Sequence, residues 1–114
     1  GGGFNEIFVS GYSAPNVAFE YDFNKQSYAN IFEVTCGISH WSDGYYSYKK
    51  CIVHTLNTNV YIRNNEESNG GNGSWSISAP ASGTLRVRMN GDAGYSYASG
   101  WFIKISGILR NSDP

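Results

Sequence analysis

Apolar and polar residues alternate with a period of two through most of this chain. Residues 17–23 place four large apolar or aromatic side chains on one side and Glu20 and Asp22 among those on the other. Residues 31–38 alternate in the same way and put Cys36 in the apolar row. A period of two is that of a β-strand with one buried face. The pattern therefore predicts two half-buried strands and assigns Cys36 to the core side of the second.

The rest of the chain shows the same pattern of short strands separated by turns. Further strands are predicted at residues 4–9, 51–56, 60–63, 75–79, 84–89 and 101–109, with a shorter one at 95–97. Residues 64–74, which precede Trp75, contain no apolar side chain, and this composition predicts an exposed loop. No segment has a helical period. The expectation is a single all-β domain spanning residues 1–114, an antiparallel β-sandwich (jelly-roll-like) or closed barrel of about 8–9 short strands.

The composition is poor in charge and rich in small polar residues and tyrosine. The net charge is −1 and 15% of residues are charged, with fourteen glycines and nine tyrosines. Soluble domains usually have roughly 25% charged residues. A nucleic-acid partner would require a basic stripe or a high pI, and neither is present. No apolar run approaches the ~18 residues that span a bilayer, so we expect no membrane insertion.

The chain has two cysteines, Cys36 and Cys51, and strand-like runs flank both. We expect them to form a disulfide that closes a loop of roughly 15 residues and contributes about 3 kcal/mol on the chain-entropy account. A disulfide indicates an oxidising compartment. Asn72 begins a possible glycosylation sequon, and the chain starts at Gly1 without methionine. Together these features favour a secreted, extracellular protein.

The segment between the cysteines concentrates aromatic and small polar side chains. The candidate binding residues in it are His40, Trp41, Asp43, Tyr45, Tyr46 and Tyr48. Rigid aromatic rings beside hydrogen-bonding groups suit a saccharide, because the apolar C–H face of a pyranose lies on a ring while its hydroxyls need polar partners. The alternative interpretation is structural, with the tyrosines covering one end of the core.

A second segment has the same character. Its candidate carbohydrate-binding residues are Asn90, Asp92, Tyr95, Tyr97 and Trp101. A carboxylate between glycines can accept two hydroxyls while a neighbouring ring offers a stacking surface. The alternative here is an ordinary hairpin turn with core tyrosines.

Catalytic and metal-binding motifs are not found. No nucleophile elbow and no zinc-binding pattern occurs, and no pair of carboxylates is placed by a motif, so we expect a protein that is not an enzyme. Calcium is a possible ligand, through Asn64–Glu67 and Asp43, but a solvated polar loop explains those residues better. We therefore expect no cofactor and no metal.

The leading hypothesis is a secreted, non-catalytic carbohydrate-binding module of lectin type that recognises glycans or glycoconjugates. The alternative is a structural or adhesive domain whose exposed aromatics form a protein–protein interface. A shallow sugar site is usually weak, and multivalent presentation raises its apparent affinity. We therefore also expect a homodimer or higher homo-oligomer.

Overall fold

A computed structural model of the chain describes residues 6–13, 18–40, 44–70, 73–90 and 99–110. The described residues form eight β-strands: β1 Glu6–Ser13, β2 Phe19–Asn24, β3 Ala29–His40, β4 Tyr46–Leu56, β5 Asn59–Asn69, β6 Ser74–Ala81, β7 Thr84–Asn90 and β8 Ser99–Arg110. Within these ranges no helix occurs that is long and apolar enough to cross a membrane.

The strands form two antiparallel sheets. One has five strands in the order β1-β8-β3-β4-β5, and the other has three in the order β2-β7-β6. The expectation of an all-β antiparallel sandwich is confirmed. The hydrogen-bonded pairs β1–β8, β2–β7 and β4–β5 are nested along the chain, so segments far apart in sequence meet in the same sheet.

The two sheets pack their apolar faces against each other. The buried core contains Phe23, Phe32, Val34, Cys36, Ile38, Cys51, Val53, Trp75, Leu85, Val87, Met89, Ile103 and Ile105. These residues come from the inner face of both sheets, in the period of two that the sequence predicts. Full burial of one such aliphatic side chain stabilises the fold by about 1.5–3 kcal/mol before conformational entropy is subtracted.

One end of the sandwich is held by a buried lysine. The ammonium group of Lys25 donates to the backbone carbonyls of Gln26, Asn57 and Ser82, which belong to three different connections. Its burial lowers the pKa of Lys25, because the charged form loses hydration. The three connections at this end are therefore tied to one side chain.

The prediction of a loop at residues 64–74 is wrong for most of its length, although residues 64–70 are exposed as predicted. Strand β5 continues to Asn69, and the next strand begins at Ser74. The polar residues are held in the sheet by pairing with β4 across a bulge, where Asn64 adopts a positive φ of 51°. Asparagine tolerates this left-handed backbone better than most residues, so the strand can change phase here and continue.

The predicted disulfide is absent from the structure, in which Cys36 and Cys51 are buried free thiols. Their strands, β3 and β4, are neighbours as expected, but Cys36 lies opposite Lys49 and Cys51 lies opposite Val34. The two cysteines are thus diagonal neighbours, whose Cα atoms are about 7–8 Å apart in an antiparallel pair. That separation exceeds the usual span of a disulfide.

Candidate functional site

The outer face of the five-stranded sheet carries a group of aromatic side chains, which we call the aromatic face. Its members are Phe8 and Tyr12 on β1, Phe102 on β8, and Tyr46 and Tyr48 on β4. Phe8 and Tyr12 are 61% and 82% exposed. Strand register brings these residues together, because β1, β8, β3 and β4 are consecutive in the sheet.

Glycines on neighbouring strands, or directly after one, make room for three of these rings. A Cβ on Gly37 would lie 2.9 Å from Cε1 of Phe102, and one on Gly70 would lie 2.5 Å from Cε1 of Tyr46. Tyr12 similarly packs over Gly100. A ring that occupies the space above a glycine lies along the sheet and covers exposed backbone, as in the aromatic rescue of strand glycines. The result is a shallow surface of rings.

Hydroxyl groups lie between the rings. In the register of the sheet, Ser10 is opposite Phe102, and Ser68 is opposite Tyr48. Ser39 is opposite Tyr46, whose hydroxyl shares a hydrogen bond with Ser68. Phe8 and Phe102 stack with their ring centroids 6.1 Å apart. The aromatic face therefore alternates ring and hydroxyl, and the charged residue Lys104 lies beside it, opposite Phe8 in the register.

The structure separates the residues that the sequence grouped together. Tyr46 and Tyr48 lie in strand β4 rather than in a loop, and Tyr45 immediately precedes that strand with an exposed side chain. Trp101 packs on the inner side of its sheet, with its ring centroid 4.8 Å from that of Phe19. Asn90 lies on the other sheet and donates to Ser74 and Ser76.

The remaining predicted residues lie outside the described part of the chain. They are Trp41, Asp43, Asp92, Tyr95 and Tyr97, together with the side chain of His40 and the possible glycosylation site at Asn72. The backbone of His40 pairs with Ser99. Strand β3 therefore ends next to the start of β8, and the two predicted segments connect to the same end of the five-stranded sheet.

The outer face of the three-stranded sheet has a different chemistry. Arg86 donates two hydrogen bonds to the carboxylate of Asp22, at 2.8 and 3.1 Å. Glu20 lies 3.2 Å from Arg86 and 3.4 Å from Arg88. We call these four residues the ion-pair network. The hydrogen bonds from Arg86 lower the pKa of Asp22, and both guanidinium groups already have carboxylate partners.

A third group, which the sequence analysis missed, lies on the inner side between β4 and β5. This inward polar cluster consists of Ser47, Lys49, Asn65, Glu67 and Asn69. The sequence shows two adjacent lysines and a polar stretch, and the signal that marks Lys49 is its place in the apolar alternation of β4. Its partners could not be found that way, because the bulge in β5 determines which residues face it.

Metal binding and relationships to known proteins give no further assignment. In the ranges that the structure describes, no three His, Cys, Asp or Glu side chains are grouped so as to hold a metal ion. Comparison of the chain with protein-family models, with curated proteins and with solved structures gave no match. Function must therefore be argued from the surfaces themselves.

Proposed function

We propose that the protein binds an uncharged glycan on the aromatic face, as a non-catalytic module of lectin type. The observation that carries the proposal is the alternation of rings and hydroxyls on one exposed sheet surface. Rings packed over glycines offer stacking surface without the entropy cost of ordering a mobile side chain. The hydroxyls of Ser10, Ser39 and Ser68 supply the polar groups that sugar hydroxyls require.

The dimensions favour a short oligosaccharide over a single sugar. Tyr12 on β1 and Tyr46 on β4 are separated by three strand spacings, or roughly 14 Å at about 4.8 Å each. A chain laid across the strands would meet Tyr12, Phe102 and Tyr48 or Tyr46 in turn. A single pyranose covers only one of these rings.

Two observations favour a sugar over a protein partner. The rings are interrupted by hydroxyls instead of forming one continuous apolar patch, which is the usual mark of a protein interface. The nearby charges on the same sheet face are already close to partners, since Lys50 lies 3.9 Å from Glu33 and Lys104 lies 3.7 Å from Glu6. The face therefore selects for neither sign of charge. Secretion and assembly into a homo-oligomer remain predictions that accompany this proposal.

A glycan array followed by titration of oligosaccharides of increasing length tests the proposal. We expect affinity to rise with chain length up to the width of the aromatic face, and to fall at least about 10-fold in Tyr12→Ala and Phe102→Ala, which each remove one stacking surface worth about 1.4 kcal/mol. Arg88→Ala, on the other sheet, is the matched control and should bind normally. Absence of any glycan binding at millimolar concentration, or equal loss in all three variants, would refute the proposal.

A further inference from the structure

The inward polar cluster brings together an amine, a carboxamide and a carboxylate. Nζ of Lys49 lies 2.6 Å from Oδ1 of Asn65 and 2.6 Å from Oε1 of Glu67. Lys49 is only 6% exposed, although it is followed directly by the solvent-exposed Lys50. The side chain of Lys49 points into the interior of the sandwich and contacts the carboxamide and the carboxylate together, which a surface ion pair does not explain.

The bulge in β5 produces this arrangement. Lys49 lies directly opposite Glu67, and the register then shifts between Lys50 and Ile52. The left-handed backbone of Asn64 lies at that shift. A bulge re-aims the side chains that follow it, and here it turns both Asn65 and Glu67 to the inner side. Without the extra residue, the side chain of Asn65 would fall on the opposite face of the strand.

The surroundings keep this part of β4 away from water. Trp75, from the opposite sheet, donates from Nε1 to the backbone carbonyl of Ser47, two residues before Lys49. The thiols of Cys36 and Cys51 lie close enough to Lys49 that its charge lowers their pKa values, against the larger rise that burial causes. Glu67, at 41% side-chain exposure, forms the solvent side of the cluster.

The positions suit attack of the amine on the amide carbon. Since the C=O bond is about 1.23 Å long, Cγ of Asn65 lies no further than about 3.8 Å from Nζ of Lys49. Reacting atoms held at roughly 3–3.5 Å are already near the geometry of attack. The hydrogen bond from Lys49 lowers the pKa of Glu67, so its carboxylate is ionised at neutral pH, and it lies 2.6 Å from the ammonium that must lose a proton.

We propose that Lys49 and Asn65 form an intramolecular isopeptide bond between β4 and β5, with Glu67 as the group that transfers protons. Glu67 first accepts one proton from the Lys49 ammonium, which frees the nitrogen lone pair. That nitrogen attacks Cγ of Asn65, and the new C–N bond forms as the bond from Cγ to Nδ2 breaks. The attacking nitrogen gives up a second proton to the departing nitrogen, and Glu67 returns the first one to it, so that the departing nitrogen leaves as ammonium. No oxidant or cofactor is needed, and the carboxylate is regenerated.

Mass spectrometry of the full chain tests the cross-link. The folded protein is expected to be lighter than its sequence by one ammonia molecule. Trypsin is expected to leave the bond after Lys49 uncut and to yield a branched peptide in which residues 26–50 are joined to residues 64–86. A full-length mass that matches the sequence, together with separate peptides 26–49 and 64–86, would overturn the proposal.

Four variants assign the roles. Lys49→Arg keeps a positive charge beside Glu67 but removes the nucleophilic amine, and Asn65→Ala removes the electrophilic carbon. Both variants should have the full mass of their own sequences, without the loss of ammonia. Lys50→Arg, one residue along and facing solvent, should retain the cross-link. Glu67→Gln should fold, as judged by circular dichroism, and lose the cross-link. If Lys49→Arg shows the same mass loss as the wild type, the reaction does not involve Lys49 and the proposal fails.

Discussion

The outer faces of the two sheets differ in the chemistry of their side chains. Both cover one shared core, and each is formed by the outward-facing side chains of strands whose inward-facing side chains build that core. The three-stranded sheet covers its outer side with the ion-pair network, in which each guanidinium lies close to a carboxylate. The five-stranded sheet leaves Phe8 and Tyr12 exposed and fills the space above its glycines with rings.

The difference shows which face is available to a ligand. The groups of the ion-pair network are satisfied by each other, so a ligand there must first break contacts that already exist. The rings of the aromatic face gain contacts only when something covers them. Since exposed aromatic surface contributes little to folding and can contribute much to binding, we expect stability and ligand affinity to respond separately to changes on the two faces.

The largest expected effect concerns the thiols beneath the aromatic face. Because Cys36 and Cys51 are buried and burial raises their pKa values, native protein should react with iodoacetamide at least about 10³-fold more slowly than urea-unfolded protein. Both cysteines should be labelled after unfolding without reductant. If neither is labelled until reductant is added, the disulfide exists in solution and the free thiols of the structure do not describe the purified protein.

The next effect concerns the space above Gly37. Gly37→Ala places a Cβ where Phe102 now lies. We expect the free energy of unfolding to fall by about 1–2 kcal/mol, which is at the lower end of the usual cost of overpacking because the ring of Phe102 can rotate away. Urea unfolding should show a lower midpoint with an unchanged slope. Adding Gly37→Ala to a Phe102→Ala background should cost almost nothing. An equal cost in both backgrounds would mean that the glycine is needed for a reason other than the ring.

The sequence was sufficient for the apolar core and insufficient for the outer face. The period of two around Phe19, Val34 and Val87 assigns the core side of each strand, since burial acts on every second residue. The pairing of Phe102 with Gly37 depends on the register between strands some sixty residues apart. No local pattern encodes that register, so the sequence located aromatic residues without showing which of them share a surface.

The extent of the strands was the other limit. Tyr46 and Tyr48 read as loop residues because glycine, serine and aspartate surround them, yet backbone pairing with β3 and β5 extends β4 over both. The bulge at Asn64 was equally hidden. The polar composition of residues 64–74 predicted a loop, whereas the inward-facing residues of this stretch contact Lys49. Tertiary pairing thus overrode local composition at the two places that matter most for the proposed chemistry.

On the ion-pair network, removing one charge should have a small effect. Arg88→Ala loses its contacts with Glu20 and Asn90, and exposed pairs of this kind usually contribute about 0.2–1 kcal/mol. We expect a change in the free energy of unfolding within that range, measured by urea unfolding at low salt, and a smaller change at high salt because the charges are screened. A cost above that of Gly37→Ala would reverse the contrast between the two faces.

The smallest expected effect is the contribution of the ion-pair network to the dependence of stability on pH. Arg86 holds the pKa of Asp22 below its ordinary value of 3.8. A depressed carboxyl pKa stabilises the fold above the ordinary value, and that stabilisation is lost as the pH falls through the folded-state value. Asp22→Asn lacks this contribution. Melting temperatures measured from neutral pH to about pH 2 should therefore differ slightly between wild type and variant at neutral pH and converge in acid. A difference that stays constant down to the lowest pH would show that the ionised carboxylate is not what stabilises this face.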